Sequence, residues 1–166
     1  MPKRSRVNDI GTKAGMNVLD LRSSGEHRSV ILVADDEPII RNVATLLLQR
    51  AGYFVLSADD GDAGLELSRK YPGRIDLVIT DVNMPRMNGI DLCGHLMEER
   101  PGIKVLVMSG ADMREIMHKA SMPFLPKPFD GETLTAKVRK ILAAPAQSEN
   151  DRATSELPRM NSTQPD

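Results

Sequence analysis

Between residues 29 and 143, short apolar runs alternate with stretches of helical spacing. The runs are Val30–Ala34, Tyr53–Ala58, Ile75–Thr80, Ile103–Met108 and the very short Pro123–Leu125. The third is so nearly apolar that it reads as a strand buried on both faces, and the first also reads as a buried strand. Between them, Pro38 opens a helix in which Ile40, Val43, Ala44, Leu47 and Ala51 repeat inward until Gly52. A second helix, Gly61–Lys70, closes at Pro72-Gly73, and a third, Gly89–Glu99, turns Ile90, Cys93, Leu96 and Met97 inward. A short helix is expected at 112–119, with Met113, Ile116, Met117 and Ala120 on one stripe. The last, Asp130–Leu142, buries Leu134, Val138 and Ile141 behind Asp130 as N-cap. Helical crossovers force neighbouring strands to run parallel, and their right hand puts helices on both faces. The expected class is α/β, a doubly wound five-stranded parallel sheet.

A sheet of this size suits the flavodoxin-like strand order 2-1-3-4-5 better than the six-stranded dinucleotide order. No Gly-x-Gly-x-x-Gly or Walker sequence follows any run, so nucleotide binding is disfavoured. With 166 residues, 40% of them hydrophobic and 27% charged, the chain reads as one soluble domain with appendages. A net charge of −1 supplies no general attraction to nucleic acid or to an anionic membrane, and neither is expected as a partner. The apolar runs are far shorter than a membrane span, and no apolar segment follows the basic MPKRSR. A single cysteine, Cys93, forbids an internal disulfide and fits a reducing, cytoplasmic setting as a small buried helix residue. Residues 1–28 read as a flexible extension in which Met16 is a second possible start, and 144–166 as a disordered tail. His27, His95 and His118 lack metal-ligand spacing.

The polar residues that end the runs are the candidates for chemistry. The central run ends on Asp81, at the sheet edge where open α/β sheets bind ligands. In the order 2-1-3-4-5, Asp35 and Asp36 after the first strand converge on Asp81. Three carboxylates so close repel unless one is protonated or a cation joins them. Mg²⁺ suits such a set, being a hard ion held by one or two carboxylates, waters and a phosphate. The fourth strand delivers Ser109 and the fifth Lys127. A carboxylate nucleophile, a divalent cation, a hydroxyl and an ammonium are the parts that phosphoryl transfer needs. A plainer reading gives Asp36 and Glu37 only capping and dipole roles at the helix that follows.

Residues 29–143 resemble the receiver domain of two-component response regulators. The likeness rests on five blocks in order: Asp35-Asp36-Glu37, Asp81, Met84-Pro85 with Gly89, Ser109-Gly110-Ala111, and Lys127-Pro128-Phe129. The resemblance implies that Asp81 is a phosphoacceptor attacking the phosphohistidine of a sensor histidine kinase or a histidine phosphotransfer protein. It implies that Asp36, Asp81 and the backbone carbonyl of Asn83 ligate Mg²⁺, with Asp35 holding it through water. Lys127 would pair with Asp81 and then with the phosphoryl oxygens, Ser109 would bond the phosphate, and Phe124 would be the aromatic switch. Asn83 and Ala111 fall where the family tunes the lifetime of the acyl phosphate, and the Lys127-Pro128 bond would be cis. The stretch from Ser109 to Lys127 is several residues shorter than the family pattern, so a trimmed fourth helix is expected. Phe124 lacks the hydroxyl of a tyrosine. With no output domain following, the expectation is a stand-alone receiver, not an enzyme with a separate substrate. It would signal to an unknown downstream protein by docking or by phosphorelay. The alternatives are a pseudo-receiver that docks constitutively, and a Mg²⁺-dependent phosphatase. The second is disfavoured because Asn83 stands where such enzymes commonly carry a second acid.

Overall fold

A computed structural model describes residues 28–110 and 122–145. The expected helix at 112–119, Ala111, His27, His118 and the two terminal segments lie outside the described residues. The elements are β1 (Val30–Ala34), α1 (Pro38–Arg50), β2 (Phe54–Ala58), α2 (Gly61–Lys70), β3 (Leu77–Asp81) and α3 (Gly89–Glu99). After them come β4 (Lys104–Ser109), β5 (Phe124–Pro126) and α4 (Gly131–Ala143). All strand pairs are parallel, in the order β2-β1-β3-β4-β5. The expected class and strand order are therefore present, with the later strands starting one or two residues further on than the apolar runs.

The reason β1 is apolar throughout is visible in how it alternates. Val30, Leu32 and Ala34 face Leu65 of α2 and Leu92, Cys93 and Leu96 of α3. Ile31 and Val33 face Ala44 and Leu48 of α1 and Leu134 and Val138 of α4. Two cores thus share one sheet, and the period of two sends successive side chains to opposite sides. Each fully buried Val, Leu or Ile contributes about 1.5–3 kcal/mol of hydrophobic stabilisation.

Helix α1 corrects one expectation. Ala44 and Leu48 are buried, whereas Ile39, Val43 and Leu46 are 78%, 47% and 48% exposed, and Ala51 is exposed. With Ile39, Ile40, Val43, Ala44, Leu46, Leu47 and Leu48 all apolar, two stripes satisfy a 3.6 period, and packing decides between them. In α3, likewise, Leu92 is buried and Met97 is 37% exposed.

The helix ends follow local chemistry, with one exception. Asp60, Asn88 and Asp130 accept backbone N–H bonds from Ala63, Asp91 and Thr133 at 2.8, 2.9 and 2.7 Å, as good N-caps do. Gly52, at φ +94°, takes the left-handed conformation after α1. The exception is α1 itself, whose N-cap Glu37 makes no side-chain capping bond.

Gly89 ties α3 to the end of β3. Its N–H bonds the Val82 carbonyl at 3.0 Å. A Cβ added there would overlap the Asp81 carbonyl oxygen and come within 2.8 Å of Thr80 Oγ1. The backbone oxygen cannot yield without moving β3. Gly89→Ala is accordingly expected to destabilise the fold by about 2 kcal/mol or more, measured by urea unfolding; an unchanged midpoint would contradict this account of the packing.

Candidate functional site

Strand register assembles the site. Ala34 pairs with Thr80, so Asp35 and Asp81 leave neighbouring strands in step. Asp81 pairs with Met108, which sets Ser109 one residue further along β4. Ser109 pairs with Pro126, and its carbonyl accepts the Lys127 N–H at 2.8 Å, which carries Lys127 over the carboxyl ends of the strands. The Lys127-Pro128 bond is cis, as expected.

The Lys127 ammonium lies among three carboxylates. It is 2.9 Å from Asp35 Oδ2, 3.0 Å from Asp81 Oδ1 and 3.3 Å from Glu37 Oε1. Side-chain exposure is 0% for Asp35, 8% for Asp81 and 13% for Lys127, against 64% for Glu37. Backbone donors fix the other carboxylate oxygens. Glu37 N–H donates to Asp35 Oδ1 at 2.9 Å, and Asn83 N–H to Asp81 Oδ2 at 3.0 Å. Arg41 on α1 donates to the Asp35 carbonyl at 2.6 Å and steadies that loop. Three buried polar atoms have no hydrogen-bond partner among the described residues: Thr45 Oγ1 on α1 and, at this edge, Ser109 Oγ and Asp35 Oδ2, the last in an ion pair with Lys127. Orphaned oxygens at one sheet edge are costly unless something supplies their partners.

Asp35 and Asp81 stand on either side of the Lys127 ammonium, and Asp36, the next residue along, is exposed. Just past the end of β1, Asp35 is fully buried while Asp36 meets solvent. Among the described residues, no group of three or more His, Cys, Asp or Glu stands close enough to hold a metal by side chains alone. The donor set fits an ion that keeps much of its water, as Mg²⁺ does: two buried carboxylates, one with an oxygen lacking a hydrogen-bond donor, and polar groups at the mouth. Asn83 is exposed there. Phe124 opens β5, half-buried against the core under α2 and α3. Cys93 is buried, which pushes its thiol up to about 12, far from reactive thiolate. An open groove between α2 and α3, lined among others by Asp62, Arg86, Ile90 and His95, contains none of these groups. Sequence reasoning missed Glu37 as a Lys127 partner; its signal was a glutamate at a helix N-cap, where shorter side chains do the capping.

The electrostatics oppose the resting charge of Asp81. Burial raises its pKa above the ordinary carboxylate value of 3.8, the neighbouring Asp35 charge adds to this, and Lys127 and Asn83 N–H only partly offset it. Burial also works against the Lys127 ammonium, but its contacts with Asp35 and Asp81 prevail and hold its pKa above 10.5.

A family model described as the response regulator receiver domain matches residues 31–139. Sensor kinase CckA of Brucella abortus (strain 2308) is 31% identical over 144 residues, covering 84% of this chain and 15% of that protein. The DNA-binding transcriptional regulator NtrC of Azospirillum brasilense is 38% identical over 118 residues, covering 69% and 24%. The chain thus spans less than a quarter of the length of these two relatives. Among solved structures, response regulator protein TrrA of Thermotoga maritima in complex with Mg²⁺-BeF is 30% identical with a TM-score of 0.61, covering 68% of this chain and 98% of that one.

Between pH 3.8 and its raised native value, Asp81 binds more proton in the folded than in the unfolded chain. Stability therefore falls as pH rises through that window, and Asp81 is a net cost at neutral pH. Asp81→Asn, which keeps an acceptor for Lys127, is expected to raise the neutral-pH melting temperature by roughly a few degrees. The gain should vanish below pH 3.8, where both chains are neutral at this position. Thermal melts at both pH values check this, and a neutral-pH loss on substitution would contradict it.

Proposed function

The chain belongs to the response regulator receiver domain family, and from that premise we propose that Asp81 accepts a phosphoryl group from a phosphohistidine. The donor would be a sensor histidine kinase or a histidine phosphotransfer protein. A carboxylate oxygen of Asp81 forms the new P–O bond as the P–N bond breaks, and the departing imidazole takes up a proton. The observation that carries this is the buried Asp81–Lys127 ion pair at 3.0 Å, with Asp35 Oδ2 2.9 Å from the same ammonium and a buried Ser109 Oγ that has no partner among the described residues. Phosphorylation places up to about two negative charges and three acceptor oxygens at the site, which is what an ammonium and an unused hydroxyl can serve.

Each residue has a distinct task. Asp81 is the nucleophile, held at the end of β3 by Asn83 N–H. Lys127 moves from carboxylate to phosphoryl oxygen, and Ser109 donates its hydroxyl proton to another. Asp35, Asp36, Asp81 and the Asn83 carbonyl would hold Mg²⁺, which supplies charge neutralisation on the phosphoryl oxygens when bound. Phe124 is a packing switch in which no hydroxyl bond distinguishes the states, and Asn83 and Ala111 set the lifetime of the acyl phosphate. The protein acts on its own Asp81 and has no separate substrate to turn over. Its output is phosphorylation-dependent contact with another protein or relay of the phosphoryl group, in the cytoplasm where its phosphodonor acts. No helix among the described residues is long and apolar enough to cross a membrane.

Incubation with acetyl phosphate and Mg²⁺, read by intact mass, is expected to add one phosphoryl group to the wild-type chain and none to Asp81→Asn. Omission of Mg²⁺ should suppress the uptake. Equal labelling of the two chains would overturn the assignment of Asp81. A folded wild-type chain that never labels would favour a constitutive docking module instead.

A further inference from the structure

Glu37 is poorly suited to the place it occupies. It is the N-cap of α1, where Ser, Thr, Asp or Asn bond the helix N–H groups through a short side chain. The other described helices each carry Asp or Asn there, with a capping bond. Glu37 makes none, and its carboxylate reaches outward to Lys127 instead. Its contact with the ammonium, at 3.3 Å, has hydrogen-bond geometry. Asp35 Oδ2, at 2.9 Å, is nearer but not aligned. A local rule of helix building is thus broken at the residue that reaches the ammonium of the site, and such conflicts mark functional positions.

We propose that Glu37 is a positioning residue that orients Lys127 in the resting site and, by its own charge, weakens the site's hold on a phosphoryl group. This rests on the phosphoacceptor role of Asp81. An ammonium has three N–H donors, and three carboxylates surround this one. When Asp81 carries a phosphoryl group, Lys127 has to turn one donor toward a phosphoryl oxygen. Glu37 competes for that donor and sets a negative charge within reach of the incoming dianion. The other carboxylates cannot play this part: Asp35 is buried and fixed by Glu37 N–H, and Asp81 is the acceptor itself. Hydrolysis of the acyl phosphate transfers phosphorus to water, releases orthophosphate and a proton, and restores the Asp81 carboxylate. Whatever weakens the hold of Lys127 on the phosphoryl group therefore disfavours the phosphorylated state.

Two substitutions separate this role from helix capping. Glu37→Gln keeps the length and removes the charge. Glu37→Asp keeps the charge but is too short to reach Lys127 and gains a capping geometry. Both are expected to bind beryllofluoride more tightly than wild type at saturating Mg²⁺ and low salt. The change is roughly two- to fivefold, the scale of a solvent-exposed charge pair, and it should shrink as ionic strength rises. In urea unfolding, only Glu37→Asp should gain stability. Affinities at or below wild type in both variants would overturn the proposal, and so would a gain in affinity confined to Glu37→Asp, the variant that gains stability. A wild-type chain that takes up neither beryllofluoride nor a phosphoryl group would instead defeat the phosphoacceptor reading itself.

Discussion

One ammonium holds this site together. Lys127 follows β5, Asp35 and Glu37 follow β1, and Asp81 ends β3, so a single side chain joins the ends of three strands. Its charge makes two nearly inaccessible carboxylates tolerable at close range. Burial still raises the pKa of Asp81, so the ammonium compensates the site without neutralising it. A site in that condition favours reactions that change the charge on Asp81. Burying paired charges is a weak source of stability in proteins, and here it is better understood as preparation for a group that arrives from outside.

The sheet makes this geometry dependable. Parallel pairing through β2-β1-β3-β4-β5 leaves the polar ends of four strands on one edge, offset by the residue or two that the register dictates. Both faces of the sheet are packed, by α1 and α4 on one side and α2 and α3 on the other. A shift in register would turn buried side chains toward the wrong layer. The same packing that stabilises the domain therefore aims Asp35, Asp81, Ser109 and Lys127. Gly89 shows how close the two requirements lie: it lets α3 start against the carbonyl of the residue that carries the candidate nucleophile.

Much of this was legible in the sequence because it depends on repeated local signals. Apolar runs ending on polar residues and separated by helices dictate a parallel sheet, and the strand order then puts Asp81, Asp35, Ser109 and Lys127 on one edge. What was not legible depends on phase and reach. The face of α1 could not be read, because apolar residues occur almost all the way round it and only contact with α4 and the sheet selects Ala44 and Leu48. That Asp35 is buried and Asp36 exposed depends on the path of the chain just after β1, and not on composition. The Glu37–Lys127 contact joins residues 90 positions apart, and only an unsuitable N-cap hinted at it.

On phosphorylation of Asp81, Lys127 should leave its carboxylates for the phosphoryl group, and the unpartnered Ser109 Oγ should gain a partner there. The most direct test is NMR of the Lys127 ammonium and the Ser109 amide, first with Mg²⁺ and then with beryllofluoride added. With Mg²⁺, a small change at the carboxylates is expected. With beryllofluoride, the Lys127 ammonium protons should become markedly protected from exchange, and the Ser109 and Phe124 signals should shift together. If beryllofluoride binds and leaves the Lys127 and Ser109 signals in place, these residues do not serve the phosphoryl group and the account is wrong.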